Sequence, residues 1–177
     1  MKWNKLFLLG LFFVVVIFGV SAKPKGNIKT SIKIENSVIG GYFDEEFKTP
    51  TQILFESFRK GKNIAVVSSH TFYELENGAP EHVTENLKTI KYEANIINDE
   101  MLKLTEKYMA EKIVSENCRS DALHIAAATV LKVDVLASWN FKHIVNLDKI
   151  KLFNAVNTRE GYGLLEIRTP QEVIENE

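Results

Sequence analysis

The chain has 177 residues, enough for one compact domain with a hydrophobic core and too few for two domains of ordinary size. Charged residues make up 25% and hydrophobic residues 45%, a balance that excludes a disordered or collagen-like chain. The formal net charge of -1 counts against tight nonspecific binding to a long polyanion but leaves room for a local basic groove. The single Cys118 excludes an intramolecular disulfide and gives no zinc-ligand spacing.

Residues 1–22 have the three regions of a secretory signal or of a membrane anchor. Lys2 and Lys5 precede an apolar run over residues 6–20, and small residues follow it. This run of roughly 15 residues is short for a helix that crosses a bilayer, which needs about 20. Lysines also follow the run, so an uncleaved anchor with a cytoplasmic domain is a second interpretation. A third is a start codon assigned too early. The sequence thus divides into a signal or anchor at 1–22, a linker at 23–30 and a domain at 31–177.

Strands and helices are predicted to alternate along the domain. Residues 31–40 predict a buried strand, and residues 49–60 predict a helix that Thr49 caps and Gly61 ends. Further strands are predicted at 64–69, 92–97, 135–138 and 165–168, and a turn with a short helical piece is predicted at 140–146. Further helices are predicted to begin at Phe72, Pro80, Asn98, Ser120 and Thr169. Continuously apolar strands that alternate with helices form parallel sheets covered on both faces, so the sequence predicts an α/β fold with a mostly parallel central sheet.

Acids and amides recur near the carboxyl ends of the predicted strands. Glu35 lies late in the first strand, Glu74 follows the second, Asn140 follows the strand at 135–138, and Asp121 begins an alanine-rich helix. Ligands of parallel sheets bind outside these strand ends. Clustered carboxylates suit Mg²⁺, which lowers the pKa of a bound water and neutralises charge on a leaving phosphate oxygen. The pattern therefore favours metal-assisted hydrolysis of a phosphodiester.

Four segments in a fixed order carry a family resemblance. They are IENSVIGGYFDEEF (34–47), SSHTFYELE (68–76), DALHIAAATVLKVDVLASWNFKHIVN (121–146) and LEIRTPQEV (165–173). Together they resemble the PIN-domain family, and within it the bacterial VapC-type toxin nucleases. The resemblance implies a three-layer α/β/α sandwich, preceded here by an N-terminal hydrophobic helix. It further implies an Mg²⁺- or Mn²⁺-dependent endoribonuclease that cuts single-stranded or structured RNA, a small antitoxin protein as partner, and a homodimer.

The resemblance also assigns roles to four residues. Glu35 stands where the family usually has its first aspartate, Glu74 matches its glutamate, and Asp121 matches the aspartate that opens the long helix. It implies that these three bind the metal ion and that Asn140, where many members have an acid, completes the catalytic set. Glu35 is longer than aspartate by one methylene, and Asn140 carries no charge. Both departures predict weaker metal binding than is usual in the family.

Each candidate residue also has a structural interpretation. Acids such as Glu74 and Asp121 are favoured in the first turn of any helix, and Asn140 suits a turn. His124 lies on the same side of its helix as Asp121, yet a histidine packed in the core is the simpler interpretation. Secondary candidates for positioning water or phosphate are Ser37, Ser138, His70 and His143.

Two questions stay open at the level of sequence. A different class of function, a PIN-like binding module with weakened catalysis that is tethered to the membrane, agrees with the leader, Glu35 and Asn140. The leader predicts a membrane-associated or exported protein, whereas the family resemblance predicts a cytoplasmic one.

Overall fold

The computed structural model describes residues 29–175. In this part of the chain, five strands and eight α-helices follow one another. The strands are β1 (Ser31–Ile34), β2 (Ile64–Ser68), β3 (Tyr92–Asn95), β4 (Val135–Ala137) and β5 (Glu166–Arg168). The helices are α1 (Asn36–Gly41), α2 (Lys48–Arg59), α3 (Ser69–Gly78), α4 (Glu81–Leu87), α5 (Asp99–Ala110), α6 (Arg119–Leu131), α7 (Leu147–Arg159) and α8 (Pro170–Glu175). A 3₁₀ turn, Glu116–Cys118, precedes α6.

The strands form one parallel sheet in the order β3-β2-β1-β4-β5. This confirms the predicted α/β fold with a central parallel sheet. β1 lies at the centre of the sheet, between β2 and β4. Because all strands run in the same direction, the segments that follow β1, β2 and β4 emerge at the same edge, where parallel sheets place their ligands.

Helices cover the two faces of the sheet and form two separate hydrophobic cores. The first core contains buried residues of α5, α6 and α7 packed on Val66, Leu136 and Ile167. The second contains buried residues of α1, α2, α3, α4 and α8 packed on Ile32 and Ile34, among others. Side chains alternate between the faces of a strand, so Lys33 points toward the helices of the first core.

The predicted first strand is too long. β1 ends at Ile34, and Glu35 is the N-cap of α1, where its side chain accepts a hydrogen bond from Ser37 N. The β-branched and apolar residues at 38–39, which suggested a strand, are instead buried on a short helix. Burial against the sheet outweighs their low helix propensity.

Two other local predictions differ from the structure. α2 begins at Lys48 after Phe47, which makes no side-chain cap bond, so Thr49 is not its cap. The turn predicted at 140–146 is present, but the short helical piece predicted with it is not formed there, and α7 after it was not predicted. At the end of the chain, the predicted cap of the last helix is confirmed, because Thr169 and Glu172 exchange hydrogen bonds between side chain and backbone.

The predicted signal or anchor at 1–22, with its hydrophobic helix, and most of the linker at 23–30 lie outside the described residues. Within residues 29–175, no helix has both the length and the apolar character needed to cross a membrane.

Candidate functional site

Glu35 is nearly fully buried at the point where β1 ends and α1 begins. One carboxylate oxygen accepts from Ser37 N at 2.8 Å, and the other accepts from the Ser37 hydroxyl. Ser37 Oγ in turn accepts from Trp139 N at 2.9 Å, just after β4. Glu35 therefore orients Ser37 and ties the end of β1 to the end of β4.

Glu74 lies one turn into α3 and faces α6. Its carboxylate accepts from His124 Nε2 at 2.7 Å and from the Ser120 hydroxyl. Burial alone would raise the pKa of Glu74, but the hydrogen bond from His124, the positive charge that His124 carries in acid and the hydrogen bond from Ser120 outweigh it and hold this pKa at about 2. Glu74 is therefore a carboxylate at neutral pH.

Asp121 lies beside Glu74 in the first turn of α6. Its Oδ1 accepts from Asn140 Nδ2 at 2.9 Å, and Asn140 Oδ1 accepts from His143 N at 3.0 Å. Asn140 N donates to Ser138 Oγ at 2.9 Å, which fixes the turn after β4. Burial, followed by the negative charge of Glu74, raises the pKa of Asp121. Glu74 thus lies close enough to Asp121 to destabilise the charged form of Asp121.

Lys33 lies next to the candidate site and was not singled out from the sequence. It is fully buried in the middle of β1, in register with Val66 and Leu136, and its Nζ lies 3.2 Å from His124 Nδ1. Burial lowers the pKa of Lys33 to about 8, against the opposing attraction of Glu35 and Glu74. The available signal was a lysine between two isoleucines in a strand predicted to be buried on both faces.

Neutral His124 connects Lys33 to Glu74. Burial, followed by the positive charge of Lys33, lowers the pKa of His124, so the ring is neutral at neutral pH. The hydrogen-bond pattern then assigns the tautomer: Lys33 donates to Nδ1, and Nε2–H donates to Glu74. The ammonium group of Lys33 is therefore connected to the carboxylate of Glu74 through two hydrogen bonds.

Potential metal ligands in residues 29–175 converge in two groups, each with its donor atoms within 4.8 Å of one another. One group is His70, Glu74 and His124, and the other is Cys118, Asp121 and His143. Glu35 belongs to neither group. The predicted set is thus gathered at one edge of the sheet, with Asp121 touching Asn140, but its members do not share one tight cluster of donor atoms.

The chemistry and electrostatics of the Glu74 and Asp121 carboxylates suit a divalent cation, although the two acids belong to different groups of potential ligands. Both are partly buried, and Glu74 raises the pKa of Asp121, so a cation between them would relieve a repulsion that the fold maintains. Mg²⁺ typically takes one or two carboxylates and keeps several waters, so two acids suffice. The metal role of Glu35, Glu74 and Asp121 remains a prediction.

Comparison with known proteins shows similarity at the level of fold. No family model matches the chain, and no curated protein matches it significantly. The structure is similar to a chain in the crystal structure of VapBC2 from Rickettsia felis, which was solved bound to a DNA fragment from the VapBC2 promoter. The TM-score is 0.50 and the sequence identity is 14%, and the match covers 79% of this chain and 98% of that chain. At this identity the likeness shows the fold alone, and it agrees with the predicted PIN-like α/β architecture.

Proposed function

We propose that this chain is a metal-dependent endoribonuclease of the PIN type and the toxin of a toxin–antitoxin pair. One observation carries the proposal: consecutive residues of α6, Ser120 and Asp121, contact Glu74 from α3 and Asn140 from the end of β4. Acids and amides from distant segments are thereby linked at the carboxyl edge of a parallel sheet. The fold's similarity to a chain of VapBC2 supports the same class.

In the proposed centre, Glu74 and Asp121 would hold Mg²⁺ or Mn²⁺, and Glu35 would contribute directly or through a water. An ion held there would supply a water of lowered pKa and neutralise charge on the phosphate. Asn140 orients Asp121 through its amide, and Glu35 holds Ser37, whose hydroxyl is placed to position a water or a phosphate oxygen. Hydrolysis leaves a 5′-phosphate and a 3′-hydroxyl.

Cleavage of RNA by the full chain, purified in detergent, tests this proposal. We expect the protein to cut a panel of single-stranded and structured RNAs when Mg²⁺ or Mn²⁺ is present. Asp121→Asn is expected to lower the rate on the order of 100-fold, because the metal loses a charged ligand. Asp148→Asn is the matched control, since Asp148 is an acid with a side chain 91% exposed on α7. Equal cutting by the wild type and Asp121→Asn would contradict the proposal.

The proposed partners follow from the same comparison. The similar structure is that of VapBC2 on promoter DNA, which supports a small antitoxin as partner of this chain. RNA is the proposed substrate, and a homodimer is proposed by analogy with the family. The association of the N-terminal segment with a membrane is also a proposal, because that segment lies outside the described residues.

Lys33 favours a second candidate, the PIN-like binding module with weakened catalysis. A buried ammonium group that is attracted by Glu35 and Glu74 supplies part of the positive charge that a metal ion would bring. The neutral Asn140 and the longer Glu35 point the same way. The cleavage experiment separates the candidates, since metal-dependent cutting that Asp121→Asn removes excludes the second one.

A further inference from the structure

Two helices present facing pairs of polar side chains behind the proposed nuclease centre. His70 and Glu74 are four residues apart on α3, and Ser120 and His124 are four residues apart on α6, so each pair lies on one face of its helix. His70 Nε2 lies 2.6 Å from Ser120 Oγ and 3.5 Å from Glu74 Oε1, while Glu74 Oε2 lies 2.7 Å from His124 Nε2. The four side chains therefore point at a common centre.

The donor atoms of His70, Glu74 and His124 all lie within 4.8 Å of one another. Two ligands bound to one ion at about 2.0–2.2 Å and at tetrahedral angles are about 3.3–3.6 Å apart. His70 Nε2 and Glu74 Oε1 are already 3.5 Å apart, and Glu74 Oε2 and His124 Nε2, at 2.7 Å, would need to separate by less than about 1 Å. The group also sits on two regular helices packed on the sheet, with His124 almost fully buried. Rigid elements of this kind hold ligands in place before the ion arrives.

We propose that His70, Glu74 and His124 form a binding site for a first-row transition-metal ion of the Zn²⁺ and Co²⁺ class. Imidazole nitrogen suits these ions, whereas Mg²⁺ prefers an all-oxygen shell, so the site is selective against Mg²⁺. Two histidines and one glutamate also leave coordination positions for water or substrate. The site shares Glu74 with the proposed nuclease centre but requires neither RNA nor catalysis.

Lys33 sets the strength of this site. A metal ion on Nε2 of His124 displaces the proton that this nitrogen donates to Glu74, so the ring keeps a proton only by moving it to Nδ1. The buried ammonium of Lys33 lies 3.2 Å from Nδ1, and its positive charge opposes both this proton shift and the ion itself. Lys33→Met removes that charge while keeping a long apolar side chain in the core, and it leaves all three proposed ligands in place. We therefore expect this variant to bind the metal at least about tenfold more tightly.

Cobalt absorption provides the test, because Co²⁺ in a low-symmetry protein site has visible bands that report its ligands. The full chain is purified in detergent, stripped with a chelator and titrated with Co²⁺. We expect one equivalent to produce visible bands, Zn²⁺ to remove them, and a large excess of Mg²⁺ to leave them unchanged. No visible bands, or their removal by Mg²⁺, would overturn the proposal.

Histidine variants locate the ion. His70→Ala is expected to weaken Co²⁺ binding at least about tenfold, since it removes a ligand. His82→Ala, at an exposed histidine of α4, and His143→Ala, in the other group of potential ligands, are expected to bind as the wild type does. Loss of binding in His143→Ala with full binding in His70→Ala would move the site to the other group and refute the proposal. Lys33→Met gives a result in the opposite direction, so a folding defect of His70→Ala cannot imitate the full pattern.

The metal site and the nuclease fail in distinguishable ways. Co²⁺ binding with the expected variant pattern but without RNA cleavage in any metal supports the metal site and removes the proposed function. Cleavage with Mg²⁺ but no cobalt bands supports the proposed function and removes the metal site.

Discussion

Lys33 carries a charge where its neighbours along β1, Ile32 and Ile34, are fully buried isoleucines. Burial lowers its pKa from 10.5 to about 8, so the unfolded chain holds this proton more tightly than the folded one does. The unfolded state therefore binds more protons between pH 8 and 10.5, and stability rises with pH across that window. Below pH 8, the full cost of the buried ammonium is present.

We predict that Lys33→Met stabilises the protein. The expected gain at pH 7 is about 2 kcal/mol, because removal of the buried charge outweighs the lost hydrogen bond to His124. The gain should shrink as the pH rises from 8 toward 10.5, where wild-type Lys33 becomes neutral. Urea unfolding at pH 7 and pH 10, followed by tryptophan fluorescence, measures both values.

Lys103→Met on α5 is the control for this change, since Lys103 is exposed. Its effect is expected to stay within about 0.5 kcal/mol at either pH. A less stable Lys33→Met protein at pH 7 would mean that the ammonium is held by compensating partners and contributes to stability.

At the scale of elements, α1 depends on a close approach to the end of β4. A Cβ added at Gly41 would lie 2.8 Å from Trp139 Cδ1, closer than real Cβ atoms come. Trp139 stacks on Phe47 with ring centroids 4.6 Å apart, and its Nε1 donates to Thr51 Oγ1 at 2.9 Å. The absence of a side chain at Gly41 therefore lets the indole of Trp139, the residue before Asn140, pack directly against α1.

Two adjacent glycines provide a matched pair of variants. Gly41→Ala is expected to destabilise the protein by about 1–3 kcal/mol, because the indole or the helix must shift. Gly40→Ala adds a Cβ that meets nothing within 4 Å, so a gain of up to about 1 kcal/mol is expected in its helical position. Urea unfolding of both variants tests this, and equal destabilisation would show that the close approach to Trp139 is not the cause.

Capping signals in the sequence were informative for some helices, although the predicted cap at Thr49 was wrong. Asn98 caps α5 as predicted, with Met101 N donating to its side chain at 3.0 Å. Asn146 caps α7 in the same way, followed by Asp148 in the first turn, so that missed helix carried a usable signal. Glu35 gave no usable signal for the start of α1, because glutamate is an uncommon N-cap and the residues next to it favour a strand.

In the molecule as a whole, the parallel sheet could be predicted from the alternation of strands and helices. That acids from distant segments lie at one edge of the sheet could be predicted from where the strands end. The grouping of potential metal ligands could not be predicted from the sequence, because it depends on how α3 and α6 are rotated about their axes. That rotation brings His70 and His124 to Glu74, and it separates Asp121 into a group with Cys118. The burial of Lys33 was signalled by its place between two isoleucines, but its contact with His124 could not be predicted from the strand pattern.

Anomalous diffraction from crystals of the full chain, grown at millimolar Mn²⁺, would locate bound Mn²⁺ and so test whether the proposed nuclease centre holds a metal ion. We predict an anomalous peak bounded by carboxylate oxygens of Glu74 and Asp121, at about 2.0–2.3 Å from each. Crystals without any Mn²⁺ peak at these two acids, with Lys33 still two hydrogen bonds from Glu74, would contradict a metal-dependent nuclease.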